Sequence, residues 1–131
     1  RLGLPERVIF TGQVVIEDYL PRMDLLVLTS ISEGQPLAIL EGFAWGLPYV
    51  VTDVGSCREL VRGRAADNLG RAGLVTNPVS PQETATALVR LLENEELRSS
   101  MGEIARKRVE KYYSKQKLMA TYRQIYTELG D

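Results

Sequence analysis

A run of four apolar residues, Leu25–Leu28, constrains the fold of this chain more than any other feature. A continuous apolar run of this length is typical of a parallel strand that is covered on both faces. Polar residues follow, then Gly34 and Pro36, and proline is well suited to the first position of a helix. The sequence therefore predicts a buried central strand, a tight loop, and a helix from about Pro36 to Trp45.

The predicted helix carries a mostly apolar side. Helical spacing places three residues on an inward stripe and two more beside it: Leu37, Leu40 and Ala44, flanked by Ile39 and Phe43. Glu41 falls on the same side, and a carboxylate beside a buried stripe is costly to remove from water. We therefore expect Glu41 to need a polar partner.

Two glutamates bracket the start of this helix. Glu41 lies five residues past Pro36, about 7–8 Å along the helix axis, and Glu33 lies in the preceding loop. The unpaired N–H groups of a first helical turn favour phosphate. Ligands of open α/β sheets bind at the carboxyl ends of the strands. A donor with hydroxyls at both ends and phosphate in the middle suits this arrangement, and a nucleotide-sugar has that shape.

The residues around these glutamates resemble a known family. Glu33, seven intervening residues and Glu41 match the E-x7-E signature of retaining glycosyltransferases with the GT-B architecture, the glycosyl transferases of group 1. The surrounding Ser-Glu-Gly-x-Pro-Leu-x-x-Leu-Glu, Ala-x-Gly-Leu-Pro and Val-Val-x-Thr-Asp-Val-Gly stretches are also similar. A further stretch, Gly-Ser-Cys-Arg-Glu-Leu, departs from the usual second glycine after Gly55 and resembles the glycosyltransferases that build the Pel exopolysaccharide.

The resemblance implies a role for each motif residue. Glu33 would be the catalytic residue, in contact with the hydroxyls of the donor sugar, and Glu41 would hold the ribose through short, charge-assisted bonds. The other implied donor contacts are Gly34, Gln35, Pro36 and Leu37, through backbone groups, and Gly12 and Gln13, which would lie near the base at the end of the first strand. Gly34 also has a structural explanation, a turn that requires positive φ, and the two explanations are compatible.

The resemblance further implies a larger enzyme. Retaining GT-B enzymes close two Rossmann-like domains over the donor, and the glycan acceptor binds the N-terminal domain. The basic residue that clamps the diphosphate usually lies on a strand–helix unit that would precede Arg1. We therefore expect residues 1–131 to be an N-terminally truncated donor-binding domain that is inactive alone.

The expected reaction of the whole enzyme is transfer of a hexose from a nucleotide diphosphate sugar, UDP-linked, to a growing glycan. The expected setting is exopolysaccharide biosynthesis in the bacterial cytoplasm. No cofactor or metal is expected, because this architecture stabilises the leaving diphosphate with helix starts and basic side chains. The alternative is a non-catalytic α/β binding or interaction module that has kept only the fold.

Composition narrows the choice of function. The chain has 131 residues, a net charge of −1, one cysteine and no histidine. This charge gives no reason to expect nucleic acid as a partner, and the lack of histidine removes serine–histidine and cysteine–histidine catalysis. Apolar runs are too short to cross a bilayer. Basic residues from Arg106 to Lys117 would allow at most peripheral contact with anionic lipid, and a solvated helix face explains them better.

The rest of the chain alternates strands and helices. Further strands are expected at Val8–Phe10, Tyr49–Thr52 and Gly73–Thr76. Further helices are expected at 17–21, 56–61, from Pro81 onward, at 95–113 and at 115–129, with Ser56 and Ser80 as N-caps. This alternation predicts an α/β fold, one Rossmann-like doubly wound parallel sheet with right-handed crossovers.

Overall fold

This computed structural model describes residues 7–128, in which each of three strands is followed by a helix and two further helices come last. The strands are β1 (Leu26–Leu28), β2 (Tyr49–Thr52) and β3 (Gly73–Thr76). The helices are α1 (Leu37–Ala44), α2 (Cys57–Arg62), α3 (Pro81–Leu92), α4 (Glu95–Tyr112) and α5 (Lys115–Glu128). The predicted positions of β2 and β3 are confirmed. The predicted end of the last helix, at Leu129, lies outside the described residues.

The strands form one parallel sheet in the order β1-β2-β3. Leu26 pairs with Tyr49, and Val50 pairs with Leu74, so the carboxyl ends of neighbouring strands meet at one edge. All four residues of β2 are buried. This burial suits the β-branched sequence of β2, because a strand in the middle of a parallel sheet packs on both faces. The predicted Rossmann-like α/β fold is confirmed.

Helices cover both faces of the sheet. Successive side chains of β2 point to opposite faces, so they belong to two different core clusters. One core cluster lies around Val51, and its buried members are Ile39, Phe43, Tyr49, Val51, Cys57, Leu60, Val61, Ala72 and Ala105. The other cluster joins Val50 to α3 and α4 through Ala87, Leu91 and Met101. The two clusters together hold β2, and with it the strand ends that carry the motif residues.

Gly42 allows α1 to lie directly against the sheet. A Cβ atom at this position would come within 2.4 Å of a Leu26 methyl carbon and 2.5 Å of the Tyr49 ring. The Tyr49 hydroxyl donates a hydrogen bond of 2.5 Å to the Ala38 carbonyl, which pairs a polar group beneath the helix. This contact fixes the height of α1 above β1 and β2.

The predicted strand at Val8–Phe10 is wrong. These residues are irregular and exposed, Phe10 to 93%, and none of the three strands pairs with them. A strand requires a neighbour for its backbone hydrogen bonds, and apolar residues alone do not supply one. The helix expected at 17–21 is replaced by two short 3₁₀ turns, Ile16–Asp18 and Leu20–Arg22.

The position of β1 also differs from the prediction. β1 is an edge strand of the described sheet rather than a central one, and Val27 is 48% exposed. An apolar run indicates that a strand can be buried, but it does not reveal whether two neighbouring strands are present.

α1 turns a different side toward the core from the one predicted. Ile39 and Phe43, four residues apart on one helix line, are buried, whereas Leu37 and Ala44 are exposed. The close approach at Gly42 explains this rotation, because the smallest residue faces the strands. Glu41 is consequently exposed, so the prediction that it lies beside a buried stripe and needs a polar partner is wrong.

Arg108 contradicts the prediction that the basic stretch of α4 is a solvated face. Its side chain is fully buried and donates through Nε to Asp67 at 2.7 Å. Its other nitrogens donate to three backbone carbonyls, those of Leu60, Val61 and Gly70. Arg108 therefore ties α4 to the end of α2 and to the loop before β3.

α5 leaves an apolar side exposed within residues 7–128. Its exposed large apolar residues are Leu118, Met119, Tyr122, Ile125 and Tyr126, and none of its residues is buried. Among the helices of these residues, none combines the length and hydropathy that a bilayer crossing requires.

Candidate functional site

Glu41 lies on α1, and Glu33 lies at the carboxyl edge of the sheet, in the loop between β1 and α1. This loop is held by residues at the end of β2. The Thr52 hydroxyl donates to the Ser30 carbonyl at 2.5 Å. Ser56 donates to the Gly34 carbonyl twice, from its backbone N–H at 2.9 Å and from its hydroxyl at 3.0 Å. Both halves of the loop are thus anchored to the neighbouring strand end.

Ser56 and Ser80 stand at the N-cap positions of α2 and α3, as predicted, but neither side chain makes a capping hydrogen bond. The Ser56 hydroxyl instead fastens the loop that carries the motif. An N-cap pattern in a sequence identifies the N-cap residue. The hydroxyl of that residue can nevertheless donate its hydrogen bond to an acceptor elsewhere in the fold.

Gly55 is the closest point between the two strand-end loops. Its φ is +50°, and a Cβ atom there would lie 2.1 Å from the Glu33 carbonyl oxygen and 2.6 Å from that of Gly34. A residue with a side chain would be strained at this φ and would also push the loop away. Gly34 shows neither feature: its φ is not positive and nothing lies within 4 Å of its Cβ position, so the predicted positive-φ turn is wrong.

Glu33 is half-buried and oriented by its own loop. The Ser30 hydroxyl donates to Glu33 Oε1 at 2.6 Å. The carboxylate also lies near the buried thiol of Cys57: burial raises the pKa of this thiol, and the negative charge of Glu33 raises it further. Glu33 therefore presents an oriented acceptor at the edge of the sheet, next to a thiol that stays protonated.

The start of α1 is not capped by a side chain. Pro36 occupies the N-cap with extended dihedrals rather than the predicted first helical position, and the helix begins at Leu37. The first turn contains no acidic residue, and Leu37 is 68% exposed. Ile39 donates its N–H to the Pro36 carbonyl at 3.2 Å. The positive end of this helix is therefore open to an anionic group.

Glu41 lies one turn into the same helix, on its exposed side. Within residues 7–128 its carboxylate makes no hydrogen bond or salt bridge, so its charge is available to a ligand. Glu41 also acts on the sheet beneath it: burial raises the pKa of Tyr49, and the charge of Glu41 raises it further. The start of α1 thus lies between two acceptors, Glu33 and Glu41.

The remaining residues predicted to contact the donor lie in the loop before α1 and near the start of the described chain. Gln35 is exposed in the loop before α1, and Pro36 is buried. Gly12 and Gln13 are exposed in an irregular segment, so they do not follow a strand as predicted. Among the described residues, neither Gly12 nor Gln13 makes a hydrogen bond to the β1–α1 loop.

An ion pair beside the site was not predicted. Asp53, at the end of β2, accepts two hydrogen bonds from Arg58, one of them from Nε at 2.8 Å. The hydrogen bond from Arg58 lowers the pKa of the Asp53 carboxyl. The signal available in the sequence was a basic residue five positions after an acidic one, in the first turn of α2. The hydrogen bond from Ser30 to Glu33 had a similar local signal, a serine three residues before the glutamate.

Parallel strands with a half-buried carboxylate and an open helix start at their carboxyl edge place this chain in the class of Rossmann-like α/β domains. Residues 1–94 match the family described as glycosyl transferases group 1, and the chain belongs to that family. The structure is similar to that of a sucrose-phosphate synthase from Thermosynechococcus elongatus, with a TM-score of 0.86 and 25% identity. That match covers 96% of this chain and 31% of the synthase chain.

Curated relatives agree with this assignment. The N-acetyl-alpha-D-glucosaminyl L-malate synthase of Bacillus anthracis is 32% identical over 98% of this chain and 32% of its own length. The alpha-D-kanosaminyltransferase of Streptomyces kanamyceticus is 33% identical over the same shares. The chain therefore spans about a third of the length of these relatives.

Proposed function

We propose that this chain is the donor-binding part of a retaining GT-B glycosyltransferase, and that its ligand is a nucleotide diphosphate sugar. The observation that supports this proposal most directly is the carboxylate of Glu33, held by Ser30 at 2.6 Å beside the uncapped start of α1. A carboxylate that is oriented but not neutralised by a basic partner retains its capacity to accept hydrogen bonds from sugar hydroxyls.

The four parts of the donor, its sugar, diphosphate, ribose and base, have distinct partners in this proposal. Glu33 is the catalytic residue and accepts hydrogen bonds from the donor sugar. The diphosphate lies at the start of α1, where the backbone of Gly34, Gln35 and Leu37 faces it and Pro36 sets the helix entry. Glu41 accepts hydrogen bonds from the ribose. Gly12 and Gln13 lie near the base.

The diphosphate requires no metal ion in this arrangement. Charge that develops on the leaving diphosphate is stabilised by the N–H groups of the first turn of α1 and by the positive end of its dipole. A basic residue from another part of the enzyme completes this stabilisation, because the described β1–α1 loop carries none.

The whole enzyme transfers a hexose from the donor, UDP-linked, to a glycan acceptor held by a separate N-terminal domain. The Gly-Ser-Cys-Arg-Glu-Leu stretch at 55–60 supports exopolysaccharide biosynthesis as its setting, in the bacterial cytoplasm. Ser56, within this stretch, is the residue that fastens the Gly34 carbonyl, so the stretch bears on the geometry of the site.

Calorimetric titration of UDP and UDP-glucose tests the proposal. We expect weak binding by this chain, and Glu41→Ala should reduce the affinity about tenfold or more, because a hydrogen bond to a charged group contributes about 1.5–3 kcal/mol. Glu103→Ala is the matched control. Glu103 is exposed on α4, and its salt-bridge partner within residues 7–128 is Lys107, at 3.8 Å.

Equal effects from the two substitutions would remove the ribose role of Glu41. A chain that ignores UDP and its conjugates altogether, while it remains folded, would instead support the non-catalytic interaction module. Circular dichroism of each variant separates loss of binding from loss of fold.

A further inference from the structure

The second edge of the sheet, along β3, has no further strand paired with it within residues 7–128. Tyr49 donates its N–H to the Ala72 carbonyl at 3.3 Å, and Asp53 donates to the Thr76 carbonyl at 2.9 Å. Alternate residues of β3 therefore face β2. Between them lie Gly73, which is buried, and Val75, which is half-buried. Because bonding direction alternates along a strand, the N–H and C=O groups of Val75 point outward at a partly exposed position.

A cleft of about 390 Å³ runs along this outer edge. One wall comes from α3, where Gln82, Thr86 and Arg90 are spaced four residues apart and so lie on one line of the helix. The opposite side carries Arg62, the last residue of α2, and Arg71, just before β3. The floor of the cleft is the edge of β3 itself.

The cleft carries an excess of positive charge. Its ionisable residues are three arginines, Arg62, Arg71 and Arg90, and one glutamate, Glu83. None of the three arginines forms a salt bridge with another residue of the range 7–128. Glu83 is already engaged, because it accepts from the backbone N–H and the side-chain amide of Asn77, both at 2.9 Å.

We propose that this cleft binds an extended acidic segment of a partner polypeptide, which adds as a further strand to β3. The outward N–H and C=O groups of the half-buried Val75 supply ladder hydrogen bonds, the mode of recognition known as β-augmentation. Carboxylates of the segment pair with Arg62, Arg71 and Arg90, whose planar guanidinium groups match carboxylate geometry.

Charge favours an acidic segment over a second copy of this chain. Each cleft carries three arginines against one glutamate, so two such edges would bring a net positive charge together. Charged residues beside an unpaired sheet edge disfavour its pairing with an identical edge, because the like charges repel. They do not disfavour pairing with a strand of opposite charge. The proposal does not depend on the donor site, which lies in the β1–α1 loop.

Fluorescence anisotropy with synthetic peptides tests the proposal. The probe is a labelled hexapeptide that alternates glutamate with valine. Two control peptides carry glutamine in place of glutamate, or N-methyl groups on alternate backbone nitrogens. We expect the probe to bind. The glutamine peptide should bind about tenfold more weakly, and the N-methylated peptide should lose most of its affinity because it cannot complete the ladder.

Variants of the chain test the protein side. Arg71→Gln combined with Arg90→Gln should weaken binding of the probe about tenfold, since each exposed ion pair contributes up to about 1 kcal/mol. Arg123→Gln, on the exposed α5, should leave it unchanged. Absence of binding would overturn the proposal, and so would equal binding of the N-methylated peptide. Dimerisation of the chain through this edge, seen by sedimentation and abolished by the double substitution, would overturn it in favour of a second copy.

Discussion

Ser56 donates two hydrogen bonds to one acceptor, the carbonyl oxygen of Gly34, from its backbone N–H and from its hydroxyl. The two residues belong to different strand-end loops, 22 positions apart. This double contact and the close approach at Gly55 make the loop after β2 the support of the loop that carries Glu33. Residues outside the E-x7-E pair therefore determine the geometry of the proposed donor site.

Gly55→Ala should damage both the fold and the site. The added methyl group would meet the Glu33 and Gly34 carbonyls at a positive φ, so we expect a loss of about 2–4 kcal/mol in the free energy of unfolding. Urea denaturation measures this loss. Gly34→Ala is the control and should cost less than about 1 kcal/mol, because its Cβ position is open. Equal losses would mean that the two loops do not touch.

Ser30→Ala should weaken donor binding without unfolding the chain. It removes the hydroxyl that orients Glu33, so the carboxylate samples other rotamers, and we expect UDP-glucose affinity to fall about fivefold to tenfold. Calorimetry measures the affinity, with Thr86→Ala as a control because the Thr86 hydroxyl bonds only within its own helix. Unchanged affinity for Ser30→Ala would argue against a sugar contact by Glu33.

Local sequence signals predicted much of this architecture. The strands Tyr49–Thr52 and Gly73–Thr76 were predicted with their observed bounds, because short β-branched segments follow glycine or proline there. The start of α1 was predicted within one residue from Pro36. Each of these features is determined by residues that are close to it in the sequence.

Features that depend on distant partners were not predictable. Val8–Phe10 has the composition of a strand but no neighbour among the described residues, and Arg108 has the sequence context of an exposed helix face. The buried position of Arg108 depends on the carbonyls of Leu60, Val61 and Gly70, which are 48, 47 and 38 positions away, and no local pattern indicates them. The roles of Glu33 and Glu41 depend on a ligand, so they stay predictions.

Breaking the Arg108–Asp67 pair should destabilise the fold strongly. Arg108→Met leaves the buried Asp67 carboxylate without its main partner, and we expect a loss of about 3–5 kcal/mol in the free energy of unfolding. Thermal and urea denaturation measure the change. Lys107→Met is the matched control, since its contact with Glu103 is exposed, and it should change stability little. Similar effects from both would contradict the role of the buried pair.

The same pair should make stability depend on pH. Burial opposes ionisation of Asp67, but the hydrogen bonds from Arg108 and the Leu69 N–H, with nearby positive charge, outweigh it and lower the pKa of the carboxyl. A carboxyl with a lowered folded pKa stabilises the fold fully above its unfolded pKa of about 4. This contribution is lost as the pH falls through the folded pKa. Asp67→Asn should therefore flatten the decline in unfolding free energy below about pH 4.

α5 should contribute little to the stability of the domain. None of its residues is buried, and an isolated helix of about this length is marginal in water. Removal of residues 115–131 should change the free energy of unfolding by less than about 0.5 kcal/mol. Amide hydrogen exchange should be fastest in α5 and slowest in β2, whose residues are all buried. Strong protection of α5 amides would show that its apolar side is covered in solution.

This chain alone should transfer no sugar, even when it binds donor. Transfer requires an acceptor hydroxyl in near-attack geometry, a large part of enzymatic rate enhancement. This chain spans about a third of the length of the two relatives named above. It also requires preorganised charge at the leaving diphosphate, and the β1–α1 loop offers no basic side chain. A half-site open to water further weakens each electrostatic contact. A radiolabelled-donor assay, with a full-length relative as positive control, measures transfer. Transfer by this chain that Glu33→Ala abolishes would place the complete catalytic machinery within these residues.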